Sequence, residues 1–148
     1  IDVGKRVFAI DMRRRSNPES PCVFTLDGKE LPLDLAMPLV AVNPDVEELG
    51  DYVEIGEEGC LSFPGIFAEV ERSCIVRLNY FDVAGVPHEL VCEGLFARCV
   101  QHENDHLDGV CFVDRLKPRQ LFKIEPKLKK LRRETRDFLK AQKTAHKQ

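Results

Sequence analysis

The sequence predicts an α+β fold in which antiparallel strands surround a central helix and a second long helix ends the chain. Up to residue 93, short apolar runs and partly alternating segments are separated by turn dipeptides, as in hairpin-connected strands. From Gly94 onward, apolar residues recur at helical spacing. The 148 residues are expected to form a single domain, 1–148, and no apolar run approaches the ~20 residues needed to cross a membrane.

Two apolar runs, residues 7–11 and 37–42, predict the first strands. Asn43-Pro44 is expected to end the second of them. The segment between the runs, residues 13–34, is rich in turn dipeptides, and we expect loop there with a hairpin turn at Asp27-Gly28.

Partial alternation over residues 67–81 predicts further strands. A hairpin turn is expected at residues 82–86 and another strand at residues 88–92. Four residues are expected to contribute to the core: Val70, Ile75, Leu78 and Tyr80.

The central helix is predicted from its periodicity. Leu95, Cys99, His102 and His106 fall at i, i+4, i+7 and i+11, on one helical face that we expect to meet the core or a pocket. Gly109 is well placed to end this helix.

A short strand, residues 110–113, is expected next, and Pro118 suits the first turn of the last helix. Pro126 predicts a kink in that helix or a break into two. An apolar stripe at helical spacing runs through it and predicts packing: Leu121, Ile124, Leu128, Leu131 and Phe138.

One turn of the central helix contains candidate metal-binding and catalytic residues. His102 and His106, four residues apart, project from the same face, so both imidazoles can reach one metal ion, with Glu103 beside the open position of that ion. This arrangement is typical of metallohydrolases. A catalytic site of this type needs three protein ligands and an open position for water, so the third ligand decides the class.

The third ligand discriminates between families of metallohydrolases. A metzincin protease would have a histidine at the position of Phe112, which excludes that class. A thermolysin-like protease needs a downstream glutamate, and Glu125, next to a proline in a basic stretch, is a poor candidate. Upstream, Cys60 could supply a thiolate, and Cys111 is a rival that would require the chain to fold back sharply.

The segments 58–62 and 101–107 resemble two of the three signature motifs of peptide deformylase, in residue type, order and separation. The resemblance extends from the strand ending at Asp11 through the C-terminal helix. It implies a metal-binding central helix and a metal held by three ligands: Cys60, His102 and His106. It further implies one divalent ion, Fe(II) physiologically, with Zn, Ni or Co as substitutes.

The resemblance also implies the reaction, which is removal of the formyl group from the N-terminal formyl-Met of nascent polypeptides. Glu103 would act as general base and then general acid, and the backbone N–H of Leu61 would donate to the oxyanion. Leu95 and Cys99 are candidates for the methionine pocket, with Arg98 and Phe67 nearby.

Two further roles complete the expected site. Gly59 would let the substrate backbone approach closely. Arg72 and Asp105 could form a pair with Glu58 that orients the ligands. His88 and His146 are expected to be strand and tail residues rather than ligands.

The family's remaining motif, a glycine-rich segment ending in Ala-Ala-x-Gln, normally precedes a strand like residues 6–11 and is absent. We therefore expect an N-terminal portion of a few tens of residues to be missing, together with its glutamine donor to the oxyanion. The activity of these 148 residues alone is accordingly in question.

Charge is distributed unevenly. The basic C-terminal helix, residues 117–148, carries 12 Lys or Arg against 3 acidic residues, whereas the rest carries 10 basic and 22 acidic residues. Such a run is either a solvated face or a contact with a polyanion. The resemblance implies docking on the ribosome, without sequence-specific binding of nucleic acid.

Six irregularly spaced cysteines and a thiolate role for Cys60 favour a reducing compartment, by default the cytoplasm, with organelle targeting as an alternative. Two other functions stay open. One is a broader metal-dependent amidase or peptidase, and the other is a ribosome-binding module whose catalysis is impaired.

Overall fold

A computed structural model describes residues 4–14 and 22–145. The chain divides into two compact units. The first comprises Ile1–Ile55 and Glu71–Cys111, and the second comprises Gly56–Val70 and Phe112–Gln148. Antiparallel strands, a helix in their midst and a C-terminal helix confirm the predicted α+β class. The assignment of residues 1–148 to one domain stays a prediction.

The strands within the described residues are β1 (Val7–Ile10), β2 (Phe24–Leu26), β3 (Leu39–Glu48), β4 (Val53–Gly59), β5 (Phe67–Ser73), β6 (Ile75–Phe81) and β7 (Pro87–Glu93). The helices are α1 (Leu33–Ala36), α2 (Gly94–Leu107) and α3 (Pro118–Ala145). Five strands form an antiparallel sheet in the order β1-β3-β6-β7-β2, and β4 pairs with β5. No helix in the described part of the chain is long and apolar enough to span a membrane.

The predicted end of a strand at Asn43-Pro44 is wrong, because β3 continues to Glu48. The register with β6 shifts between Val42 and Asp45, so the dipeptide lies in an irregular part of the strand. Asn43 has a φ of 50°, a left-handed conformation that asparagine tolerates, and a bulge is where a strand can accept proline. The strand therefore continues past the dipeptide with a shifted register.

Segment 13–34 differs in part from the expected loop. It contains β2 and the beginning of the one-turn helix α1, whereas residues 15–21 lie outside the described part. The hairpin turn at Asp27-Gly28 is confirmed, with Leu26 and Lys29 exchanging backbone hydrogen bonds of 2.8 and 3.0 Å. The predicted turn between β6 and β7 is confirmed as well, and the Asp82 carboxylate accepts backbone N–H groups from Ala84 and Val86.

The core of the first unit lies between α2 and the five-stranded sheet. Phe96 packs edge-to-face against Phe24, with ring centroids 5.8 Å apart. Leu78 and Tyr80 are buried as predicted, whereas Ile75 is only partly buried. Alternate residues of β6 are thus buried and contribute to the core between the sheet and α2.

The second unit has its own apolar cluster, formed by Ile66, Val70, Phe112 and Ile124. Leu128 and Leu131 pack against it. Two members of the predicted α3 stripe do not, since Leu121 is 39% and Phe138 61% exposed. Within the described residues of this unit, the middle of the predicted α3 stripe, at Ile124, Leu128 and Leu131, therefore belongs to the apolar cluster or packs against it.

One local prediction near α3 is wrong, and of the two alternatives expected at Pro126, a kink or a break, the break is excluded. In place of a strand at residues 110–113, Phe112–Arg115 forms a 3₁₀ turn, which directs Phe112 into the apolar cluster. Pro126 lies inside the continuous helix α3 and does not break it. Proline has no N–H to donate to the carbonyl four residues earlier, which is that of Phe122.

Candidate functional site

The end of α2 is built by glycine, as predicted. Gly109 has a φ of 73°, and its N–H donates to the His106 carbonyl at 3.2 Å. The N–H of Val110 donates to the Asp105 carbonyl at 2.8 Å. This pair of bonds is the Schellman arrangement, which satisfies the last carbonyls of a helix. The final turn, which carries His106, is therefore held in a defined conformation.

The two histidines lie side by side on α2. Their ring centroids are 4.7 Å apart with the planes at 81°, and both side chains are partly buried. His106 Nδ1 is 3.2 Å from the Val110 carbonyl oxygen. Because a carbonyl can only accept, Nδ1 donates, and Nε2 of the neutral imidazole keeps the lone pair that a metal requires. Glu103, next to His102, is also partly buried.

Behind these residues lies a buried ion pair. Arg72 Nη1 is 2.6 Å from Asp105 Oδ2, and the two side chains are 2% and 7% exposed. The predicted pairing of these residues is confirmed. Glu58, the third expected member, is buried in the second unit, and its participation stays a prediction.

A residue whose role the sequence analysis missed is Gln101, immediately before His102. Its amide nitrogen donates to the Ser73 carbonyl at 2.9 Å, and its amide oxygen accepts the Ser73 N–H at 3.2 Å. It also donates to the Ala97 carbonyl at 3.0 Å. An amide that bonds to both the backbone N–H and the backbone C=O of one residue ties α2 to the end of β5.

The predicted helical face is only partly correct. The buried apolar residues of α2 are Phe96, Ala97 and Val100, whereas Leu95 is 48% exposed and Cys99 is partly buried. Successive residues on a helix are 100° apart. By this spacing, the residues of the core face and the residues of the histidine face point in different directions from the helix axis. The histidine face is therefore half-buried. Arg98, expected near a pocket, is buried and donates to the Glu54 carbonyl at 2.8 Å.

In the second unit, Cys60 follows the last residue of β4. The Cys60 carbonyl accepts the N–H of Phe63 at 2.8 Å, so the chain turns directly after the cysteine. Leu61, at the tip of that turn, is fully exposed. Cys60 is partly buried and packs against the apolar cluster of this unit.

Gly59 is required locally for a reason that the sequence analysis did not identify. A Cβ at this position would lie 2.6 Å from two ring carbons of Phe67. The Phe67 ring, 56% exposed, therefore occupies the space that a side chain at Gly59 would need. Close approach of a substrate backbone to Gly59 stays a prediction.

Three described residues have the side-chain types of the expected metal ligands: Cys60 in the second unit, and His102 and His106 in the first. A thiolate and two imidazoles are a usable donor set that leaves one position open in a tetrahedral site. The binding of one ion by all three residues, and the exclusion of Cys111 as a ligand, stay predictions. None of the six cysteines, all of which lie in the described part of the chain, forms a disulfide.

The contacts of His88 are those of a structural residue and not those of a metal ligand. Its Nδ1 is 2.8 Å from Asp27 and its Nε2 is 3.6 Å from Asp82. Hydrogen bonding to Asp27 raises the pKa of His88. Hydrogen bonding from the backbone N–H of Glu89, and to a smaller extent from His88, lowers the pKa of the Asp27 carboxyl. His88 thus links two hairpin turns, in keeping with its assignment to a strand. His146 lies outside the described residues.

Comparison with known proteins identifies close relatives. The family model for polypeptide deformylase matches residues 1–122. A peptide deformylase of Opitutus terrae is 43% identical over 132 residues, which are 88% of this chain and 67% of the relative. One of Brucella suis is 38% identical over 133 residues, 88% of this chain and 66% of the relative.

Solved structures agree with these relatives. A Plasmodium falciparum peptide deformylase, determined with an inhibitor, has a TM-score of 0.61 and 40% identity, over 64% of this chain and 61% of that one. A plant peptide deformylase has a TM-score of 0.65 and 39% identity, over 67% of this chain and 54% of that one. The chain spans about two thirds of the length of these curated relatives and less of the solved chains.

Proposed function

The chain belongs to the peptide deformylase family, whose members are metal-dependent hydrolases, and from this premise we propose that it removes the formyl group from the N-terminal formyl-Met of nascent polypeptides. The observation that carries the proposal is the turn of α2 with two adjacent imidazoles, His102 and His106, and the partly buried Glu103 beside them. A formyl group is small, so a narrow site can admit it and exclude bulkier acyl groups.

In this proposal Cys60, His102 and His106 bind one divalent metal ion. Sulfur and imidazole are borderline-soft ligands that suit Fe(II), Zn, Ni or Co, and we propose Fe(II) as the native ion on the basis of the family. When bound, the ion would supply Lewis acidity to the formyl carbonyl and to water. The hydrogen bond from His106 Nδ1 to Val110 would orient that imidazole and support its donation through Nε2.

The remaining chemistry falls to the chain's own groups. Glu103 would accept a proton from the attacking water and deliver it to the leaving amine as the C–N bond breaks, so that formate and a free N-terminus result. The backbone N–H of Leu61 would donate to the oxyanion, a contribution typically worth ~10²–10³ in rate. Leu95 and Cys99 would contact the methionine side chain, and Gly59 the peptide backbone.

The direct test measures formate release from a formyl-Met peptide, with the acetylated and the unblocked peptides as comparisons. We expect turnover of the formyl peptide alone. Glu103→Gln, which keeps the shape of the side chain, is expected to reduce the rate by ~10²–10⁴ at unchanged metal content. Equal hydrolysis of all three peptides would instead indicate a broader amidase.

We also propose the ribosome as a partner of the basic C-terminal helix. Its 12 Lys or Arg against 3 acidic residues would attract RNA phosphates without reading a base sequence. Co-sedimentation with ribosomes should weaken steeply between 50 and about 200 mM salt. Ribosome binding with neither metal nor turnover would favour a module whose catalysis is impaired.

The cytoplasm is the proposed location, since six cysteines that form no disulfide among the described residues suit a reducing compartment. Cell fractionation tests this, and recovery of the protein in an organelle would contradict it.

A further inference from the structure

We propose that the side-chain amide of Gln101 sets the rotation of α2 about its axis, which makes Gln101 a positioning residue for His102 and Glu103. The consequence for catalysis rests on the proposed function, whereas the rotation is a property of the fold that can be measured without turnover. Gln101 and its hydrogen-bond partners, Ser73 and Ala97, all lie in the first unit.

The Gln101 amide has a single favourable orientation. Its oxygen accepts the Ser73 N–H at 3.2 Å, and its nitrogen donates to the carbonyls of Ser73 and Ala97 at 2.9 and 3.0 Å. Turning the amide over would place its oxygen against two carbonyl oxygens, which cannot donate. Gln101 is 6% and Ser73 4% exposed, so any of these bonds that breaks leaves a buried polar group unpaired. The amide is therefore fixed by its partners.

The partner of this amide is the corner between β5 and β6, which is itself fixed by backbone hydrogen bonds. The Cys74 N–H donates to the Tyr52 carbonyl at 2.9 Å, and the Cys74 carbonyl accepts the N–H of Gly94 at 2.9 Å. Gly94 begins α2, and Gln101 follows it by about two turns, on the same side of the helix. The corner thus holds α2 at two points, directly at Gly94 and through the amide of Gln101.

A small rotation of α2 would displace the proposed catalytic groups. His102 and Glu103 directly follow Gln101, so they turn with it. Side chains extend about 5–6 Å from a helix axis, and a rotation of about 10° moves their ends by about 1 Å. A misplacement of about 1 Å can reduce the rate of a reaction by about 10²-fold. The contact of Gln101 with the corner therefore bears on the chemistry although Gln101 itself touches no reacting atom.

The other polar contacts of α2 are less suited to setting this angle. Arg98 reaches the Glu54 carbonyl, and Arg72 reaches Asp105, each through a long side chain with several rotatable bonds. Such a side chain can follow a small movement of the helix. Gln101 is shorter and bonds to backbone groups, which cannot follow it.

The test compares two substitutions at the same corner. Gln101→Met keeps the length of the side chain and removes its three hydrogen bonds. Ser73→Ala removes the 3.0 Å bond from the Ser73 hydroxyl to the Ile75 carbonyl and leaves the backbone groups of residue 73 in place. Both variants lose stability, but we expect only Gln101→Met to change the behaviour of the histidine turn.

Two measurements detect that change. The affinity for Zn(II), measured by competition with a chromophoric chelator, should fall roughly 10- to 100-fold in Gln101→Met. With Zn(II) saturating, kcat for formyl-Met-Ala-Ser should fall by roughly 10- to 100-fold, and KM should stay within about twofold, because Gln101 does not bind the peptide. Wild-type affinity and kcat in Gln101→Met, or equal losses in Ser73→Ala, would overturn the inference.

A milder variant covers the case in which Gln101→Met does not fold. Gln101→Asn keeps the amide but is one methylene shorter, so it cannot maintain all three hydrogen bonds. We expect a decrease in Zn(II) affinity and in kcat in the same direction as for Gln101→Met. Wild-type values in folded Gln101→Asn would contradict a role for the exact reach of this side chain and would overturn the inference.

The metal-free protein separates this inference from the proposed function. His102 and His106 are partly buried, so the rate at which diethyl pyrocarbonate modifies them, followed by mass spectrometry, reports how firmly α2 is held. We expect faster modification in Gln101→Met and the wild-type rate in Ser73→Ala. This result in a chain that hydrolyses no formyl peptide would support the role of Gln101 and refute the proposed function. Unchanged rates in Gln101→Met would overturn the role of Gln101, whatever the activity.

Discussion

Replacing Asp105 with asparagine tests whether burial makes the Arg72–Asp105 pair essential to the fold. The variant keeps the shape of the side chain and removes its charge from a 2.6 Å contact between side chains that are 2% and 7% exposed. Removing one charge from a buried ion pair costs about 3 kcal/mol at the lower end of measured cases. For a chain of this size that corresponds to a decrease in Tm of roughly 6–12 °C.

The chain offers a closely matched control at the end of the same helix. Arg6 Nη1 is also 2.6 Å from Asp108 Oδ1, but these side chains are 44% and 49% exposed. Asp108→Asn removes the same charge at the same distance, so the free energy of unfolding should fall by less than about 1 kcal/mol. Urea denaturation followed by circular dichroism measures both variants. Equal losses of stability would refute the argument that burial determines the strength of the pair.

The same variant has a functional consequence if the metal proposal is correct. Asp105 precedes His106, and its backbone carbonyl accepts the N–H of Val110 in the motif that ends α2. Loosening this turn should reduce metal affinity by roughly 10–100-fold, as the loss of other residues that orient ligands does. Competition with a metal chelator measures the change, and Asp108→Asn should retain wild-type affinity.

Three further predictions follow from other contacts. Cys60→Ser should lower the metal content of the purified protein, measured by elemental analysis; unchanged content would exclude Cys60 as a ligand. His88→Gln should lower Tm more at pH 5.5 than at pH 8. The raised pKa of His88 beside Asp27 gives a stabilisation that is complete below about 6.5 and lost as the pH rises through the folded pKa; a pH-independent difference would contradict it. Gly59→Ala should destabilise by about 1 kcal/mol through its clash with the Phe67 ring, and combining it with Phe67→Ala should cost less than the sum of the two single changes; simple additivity in urea denaturation would argue against the clash.

Much of the fold follows from local patterns in the sequence. The β6–β7 hairpin is predictable because alternation on both strands and a turn at Asp82 agree, and α2 is predictable because its periodicity ends at a glycine. The continuation of β3 through Pro44 was not predictable. It depends on how the register with β6 adapts to the irregularity, which is a property of the pair of strands.

Prediction of the site has a similar limit. The types and spacing of His102, Glu103 and His106 are visible in the sequence because the three lie on consecutive turns of one helix. The role of Gln101 is not visible, since its partner is the backbone of Ser73, and a peptide group leaves no signature in residue type. The exposure of Leu95 was also missed. Periodicity shows which residues share one face of a helix, but it does not show whether that face is turned toward the core or toward solvent.

That direction is fixed by polar contacts on a neighbouring stripe of α2. Arg98, Gln101 and Asp105 are spaced three and four residues apart, and each bonds to a residue of β4 or β5: Glu54, Ser73 and Arg72. This polar stripe lies about 100° around the helix from the histidine stripe. Apolar packing opposes the separation of α2 from the sheet but gives little resistance to rotation of the helix about its own axis. The three hydrogen-bonded contacts are directional and are spread along the helix, so they oppose this rotation. These contacts therefore keep both histidines partly buried. Their imidazoles remain accessible to a ligand, and their orientation around the helix axis is fixed.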